Sequence, residues 1–331
     1  MRELVRTNNA VLITAIEALL KAADIPHLVL DQHMSVLEGS LGMLPRRIVV
    51  DEEHQEAARQ LLQDAGLGHE LRPHSGPSPG ALTDDAVLGG RLRLKQKKRG
   101  HRVGHDAILL AAAVAARAGD VAVDFGSGVG AAGLALARRL PEVSVVLIER
   151  DPELAAITAE NIARNGLASR ARAVVLDVTD PSEAFAAADL GSGSADHVLM
   201  NPPFNSPERQ NVSPDAGRSA AHVGADDTLA DWIASAAWLL HSAGILTLIW
   251  RADGLAHVLT ALEGRFGGLA VMPIHGRAGQ PAIRILVRAS KASRTPLALL
   301  PGFVLNDAAG KPTTEAEGVL RHALALPFAD A

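Results

Sequence analysis

Asn201-Pro202-Pro203-Phe204 joins an amide, two rigid rings and an aromatic face in a chain where aromatics make up only 3% of residues and tyrosine is absent. Those residue types suit one difficult task, making a nucleophile of a planar amino nitrogen whose lone pair is delocalised into a base or amide. The Asn201 side-chain oxygen and the Pro202 carbonyl can each accept one N–H and draw the lone pair out of conjugation. Two prolines hold the acceptors stiffly, and Phe204 offers a stacking face.

A second cluster is Asp124-Phe125-Gly126-Ser127-Gly128-Val129-Gly130, between an apolar run and a helical pattern. Glycines at such a junction let backbone approach a ligand, and the helix N-terminus favours a carboxylate or phosphate. Gly128, Gly130 and Gly133 formally match the dinucleotide pattern, which keeps a nicotinamide cofactor open. However, that match starts two residues after the first turn glycine, Gly126. Asp124 just before the turn suits a cationic aminoacyl ligand such as S-adenosylmethionine. The next apolar run ends in Glu149, spaced to accept both ribose hydroxyls, and both ligand classes use that arrangement. Asp177, ending the third run, can accept an adenine amino group or cap a turn.

Arg91 to Arg102 carries seven basic groups and no acid, while residues 1–76 hold 7 basic and 11 acidic groups. Lys95, Lys97, Lys98, Arg99 and Arg102 are therefore candidates for RNA phosphate, with a solvated hairpin edge as the bland alternative. His101 and His105 have the four-residue spacing of a helical metal pair. Gly100 and Gly104 break the helix that spacing needs, so no metal is expected and Asp106 is expected to cap a helix starting at Ala107. Arg218 and His222, expected on a polar loop after the NPPF segment, are open between RNA contact and a solvated lid.

These groups need a scaffold. Val121–Phe125, Ser144–Glu149, Ala171–Leu176, His197–Met200 and Ile245–Trp250 are short apolar runs separated by helical segments, the pattern of a parallel sheet covered on both faces. Leu269–Ile274 and Ala282–Arg288 lie too close for a helical crossover and imply an antiparallel edge hairpin. Residues 1–72 read β-α-β-β-α, a small α+β domain. Residues 73–83 form a Pro/Gly/Ser linker, and residues 84–331 the second domain. The apolar loop containing His33, Met34, Leu37 and Leu44 either packs on its own sheet or meets a protein partner.

Composition narrows the classes. At 331 residues, 48% hydrophobic and 21% charged, the chain is globular with room for a core in each domain. Zero Cys excludes disulfides, thiolate nucleophiles and Cys-ligated metals. A net charge of −5 argues against a general nucleic-acid coat. The N-terminus reads as no secretory signal, and no run spans a membrane, so a cytoplasmic location is expected.

Taken together, DFGSGVG, Glu149, Asp177 and NPPF resemble the class I methyltransferases of the amino-methylating type. LRLKQKKRGHRVGHDAILLAAA and the tail LLPGFVLNDAAGKPTTEAEGVLRHA are similar to the bacterial tRNA adenine-37 N6-methyltransferases, over about residues 84–325. Residues 1–67, through LDQHMSVLEGSLGMLPRRIVV, resemble a small bacterial domain family of unknown function labelled as signal-transducing.

The resemblance implies a Rossmann-like sheet and S-adenosyl-L-methionine as donor. It puts Asp124, Gly126, Gly128, Glu149 and Asp177 around the donor and Asn201 with Phe204 around the acceptor, to which the reading of the turn adds Gly130 and that of the motif Pro202, and it implies a structured RNA such as tRNA as substrate. NPPF stands where the family commonly has NPPY, and Leu92 and Leu94 replace an aromatic-rich opening. Rivals are a protein glutamine N5-methyltransferase, a guanine N2-methyltransferase, and a binding protein that holds the donor without turnover.

Overall fold

The computed structural model describes residues 2–7, 9–23, 25–30, 46–51, 54–71, 82–98, 102–203 and 217–328. The chain divides into two compact units, Met1–Gly80 and Ala81–Ala331. The apolar loop around His33 to Leu44, linker residues 73–81, Arg99, His101 and Phe204 lie outside the described residues, whereas Leu82 and Thr83, expected in the linker, begin a strand.

In the first unit, β1 (Arg2–Thr7), α1 (Ala10–Ala22), β2 (His27–Leu30), β3 (Arg46–Val50) and α2 (Gln55–Asp64) form an antiparallel sheet in the order β1-β3-β2 with two helices. Asn9 caps α1, its side chain accepting from the Val11 and Leu12 N–H groups. Leu4, Ile16, Leu20, Ile48, Val50 and Leu62 close a core of their own.

The second unit opens with the hairpin β4 (Leu82–Val87) and β5 (Leu92–Lys97), then α3 (His105–Ala113). There follow β6 (Val121–Phe125), α4 (Ala131–Arg139), β7 (Ser144–Glu149), α5 (Pro152–Arg164), β8 (Ala171–Val175), α6 (Ser182–Ala187) and β9 (Ala195–Met200). Next come α7 (Gly217–Leu239), β10 (Leu240–Arg251), α8 (Leu255–Leu262), β11 (Phe266–Arg277), β12 (Ala282–Lys291), β13 (Ala298–Leu299), β14 (Phe303–Asn306) and α9 (Thr314–His322). The large sheet runs β13-β11-β12-β10-β9-β6-β7-β8, with β14 also on β11. Strands β6 to β10 are mutually parallel, and β12 is antiparallel to both β10 and β11.

Alternation within each strand builds a layer on either face. Leu147, Leu199, Ile249 and Leu286 join the apolar side of α3 and α4, whereas Val146, Ile148, Val198, Met200 and Leu248 join Phe185, Leu229 and Ile233. The strands therefore read as continuous apolar runs, as expected when both faces are buried. Asp106 does not cap α3: the helix starts at His105, Gly104 holds the cap position, and Asp106 instead accepts from Arg284 Nε of β12 at 2.8 Å. Residues 218 and 222 lie in α7, not on a loop.

Candidate active site

Register brings the chemistry to one edge. In the ladder between β6 and β9, Phe125 pairs with Met200, so Gly126 and Asn201 leave the sheet side by side. Phe125 also pairs with Ile148 of β7, and Glu149 pairs with Val175 of β8, which brings Glu149 and Asp177 to the same C-terminal edge. In open α/β sheets ligands bind at that edge.

The glycine turn is tied to its surroundings through the backbone. Ser127 N–H donates to the Ile148 carbonyl at 2.8 Å. Glu149 Oε2 accepts from Gly128 N–H at 2.8 Å and Oε1 from Asp151 N–H at 2.9 Å, which fixes the carboxylate while each oxygen keeps a lone pair for a further donor. Gly128 has φ +58°, and a Cβ there would meet nothing within 4 Å. Gly126, at φ +63°, is different: a Cβ would lie 2.4 Å from the indole of Trp232 on α7, which also packs edge-on against Phe125.

Asp124 is 2% exposed, and its Oδ2 accepts from Gly133 N–H at 2.7 Å. Burial pushes its carboxyl up to about 7; the Gly133 bond opposes the shift and the Glu149 charge adds to it. A cationic group arriving beside it would favour the carboxylate. Asp177 accepts from Thr179 N–H and Oγ1 at 2.9 and 2.7 Å, so it organises its own turn. Burial raises its carboxyl, but those bonds and nearby Arg150 outweigh it and hold the group below the ordinary range.

Asn201 Oδ1 is buried and has no hydrogen-bond partner among the described residues. An orphaned buried acceptor is costly. Pro202 is buried beside it. A separate cavity of about 960 Å³, lined by Arg117, Asp120, His197 and His241 among others, opens at the opposite edge. Its histidines already pair with Asp120 and Asp196, at 3.1 and 3.0 Å.

The open space at Gly128, the prepared Glu149 carboxylate and the buried acid Asp124 fit an aminoacyl nucleoside with a positive charge. The family model described as "Methyltransferase small domain" matches residues 101–277. The chain belongs to the methyltransferase small-domain family. Residues 1–66 match a second family, described as "Putative prokaryotic signal transducing protein". Among solved structures, a "predicted O-methyltransferase" of Agrobacterium tumefaciens is 30% identical with a TM-score of 0.57, covering 67% of this chain and 98% of that one. A curated relative from Porphyromonas gingivalis, "tRNA1(Val) (adenine(37)-N6)-methyltransferase", is 33% identical over 159 residues, 46% of this chain. The chain spans 60% of that relative's length.

This member of the methyltransferase small-domain family is an S-adenosylmethionine-dependent methyltransferase. Bound in the site, the cofactor supplies a methyl group carried on a positively charged sulfur. Asp124, Gly126, Gly128 and Glu149 are the residues that would hold it, with Asp177 beyond. Gly130 starts α4 at φ 89° as its cap residue.

The basic strip forms most of β5 and its exit. Leu92, Leu94 and Gln96 point inward while the cations between them point out. Most of those cations meet the chain's own acids: Lys95 pairs with Glu160, Lys97 with Glu153 at 2.7 Å, Arg93 with Asp84 at 2.8 Å and Arg102 with Asp85 at 2.9 Å. Hydrogen bonds from Arg93 and Arg164 hold Asp84 well below the usual carboxylate range. Lys98 is exposed and makes no such pair among the described residues. Sequence reasoning missed Trp232 on the turn and Thr158 and Asn161 beneath it, because isolated polar or aromatic residues in a helix read as surface or core. Among the described residues no cluster of three His, Asp or Glu could hold a metal, and no helix is long and apolar enough to cross a membrane.

Proposed function

We propose that this methyltransferase modifies the N6 amino group of an adenine in structured RNA, in the first instance an unpaired anticodon-loop adenine of a tRNA. The observation that carries the reading is the buried, unpartnered Asn201 Oδ1 beside the glycine turn. The exocyclic nitrogen presents two N–H groups. Asn201 Oδ1 accepts one and the Pro202 carbonyl the other, which localises the lone pair on nitrogen. The methyl group would leave the donor's sulfonium, which becomes a neutral thioether, and the nitrogen that takes it would give up one proton to solvent, so no strong anion has to be stabilised and positioning dominates. Phe204 would supply the stacking face. The curated relative's name supports the same substrate class. An unpaired loop base also avoids most of the cost of leaving a duplex.

A second reading, methylation of a glutamine side-chain amide in a protein, is favoured by the self-neutralised strip, in which Lys95 and Lys97 already face Glu160 and Glu153. Incubation with labelled donor and either bulk tRNA or a cell extract treated with RNase separates the two. N6-methyladenosine in digested tRNA is the expected product. Label retained in protein after RNase, with none in nucleosides, would overturn the RNA reading.

A further inference from the structure

Thr158 and Asn161 of α5 and Asn165, which caps its C-terminus, recur at intervals of three and four residues. Thr158, fully buried, donates its Oγ1 hydrogen to the Gly128 carbonyl at 2.7 Å. Asn165 accepts from Arg93 N–H at 3.0 Å and donates to the Arg93 carbonyl at 2.7 Å. Between them, Asn161 does both jobs. Its Nδ2 donates to the Val129 carbonyl at 3.0 Å and to the Lys95 carbonyl at 2.9 Å, while its Oδ1 accepts from Lys95 N–H at 2.8 Å.

Arg93 and Lys95 are two residues apart, so they turn their N–H and C=O groups to the same edge of β5. The other edge of β5 pairs with β4. Two asparagine amides therefore take the place of a neighbouring strand. Since Asn161 is fully buried and its two N–H groups serve two different elements, displacing either element leaves a buried donor unpaired, at a cost that disfavours independent movement.

We propose that Asn161 is a positioning residue that couples the donor loop to the β4–β5 hairpin. Donor binding thereby orders the basic hairpin, and engagement of the hairpin tightens donor binding by the same factor, as linkage requires. The proposal rests on residues 126–130 being the donor's cradle. It does not depend on which acceptor is methylated.

Hydrogen exchange on the full chain, with and without saturating S-adenosylmethionine, is the test. Exchange over residues 126–130 and over residues 92–97 is expected to slow together in the wild type. In Asn161→Ala the loop is expected to keep its protection while residues 92–97 lose theirs. Protection of the loop without residues 92–97 in the wild type, or an unchanged response of residues 92–97 in Asn161→Ala, would overturn the coupling. No protection at either segment would overturn the cradle assignment with it. Should Asn161→Ala fail to fold, Asn161→Ser carries the test, since the shorter side chain cannot span the Val129 and Lys95 carbonyls at once. Residues 92–97 are expected to lose the slowing that the donor brings to them in the wild type, and its retention would overturn the proposal.

Discussion

Gly126 and Gly128 make a matched pair for locating the donor. Their φ values are +63° and +58°, so alanine at either carries the same left-handed penalty of about 1–2 kcal/mol. Their surroundings are opposite. At Gly128 the added methyl enters open space, so Gly128→Ala should lose little beyond the backbone penalty, a fall in Tm of about 2–8 °C for a unit of this size. At Gly126 the methyl sits 2.4 Å from Trp232, and overpacking adds about 1–3 kcal/mol. Donor affinity should reverse the order of interest: the methyl at Gly128 fills the cradle, and an overpacking cost of about 1–3 kcal/mol corresponds to roughly 5- to 150-fold weaker binding. Calorimetric titration with S-adenosylmethionine, beside thermal melting of the free proteins, reads both quantities. In a Trp232→Ala background, Gly126→Ala should cost only the backbone part of its penalty, the difference from its cost in the wild type being the packing part. Wild-type donor affinity in Gly128→Ala would refute the reasoning, because the open space would then not be the ligand's.

Asn201→Ala should leave folding and donor affinity nearly intact and lower turnover by about 10² to 10³, the loss typical of one preorganised catalytic hydrogen-bond partner; steady-state kinetics with tRNA will show it, and wild-type turnover would exclude the role. Glu149→Ala removes a charged acceptor worth about 1.5–3 kcal/mol, so donor affinity should fall roughly 10- to 150-fold by calorimetry. Asp124 is protonated below about pH 7 in the free protein, and a cationic donor favours its carboxylate. Donor affinity should therefore rise as pH increases through 7, with proton release on binding detectable in buffers of different ionisation enthalpy; a flat profile from pH 6 to 8 would separate Asp124 from the donor's charge. Changing Lys95, Lys97 and Lys98 to Gln should reduce the log-log salt slope of tRNA binding by up to about 0.9 for each RNA phosphate that is no longer neutralised. An unaltered slope would leave the strip as an internally paired edge.

Much of the architecture was legible because it is local. Apolar runs at Val121–Phe125 and Ser144–Glu149 coincide with β6 and β7, since a strand buried on both faces has to be apolar throughout. The closeness of β11 and β12 in sequence allowed no crossover, and they pair antiparallel. The glycine turn and the NPPF segment were visible as motifs because each is contiguous in the chain. Three things were decided only by packing between distant segments. Ladder register put Gly126 next to Asn201, 75 positions apart in the chain. Lys95 and Lys97 of β5, which look unopposed in sequence, met acids of α5 that lie about 60 residues later. Asp106, read as a helix cap from its neighbours, found Arg284 instead. In each case folding brought together groups from distant segments, and no periodicity within a single element records where a partner will come from.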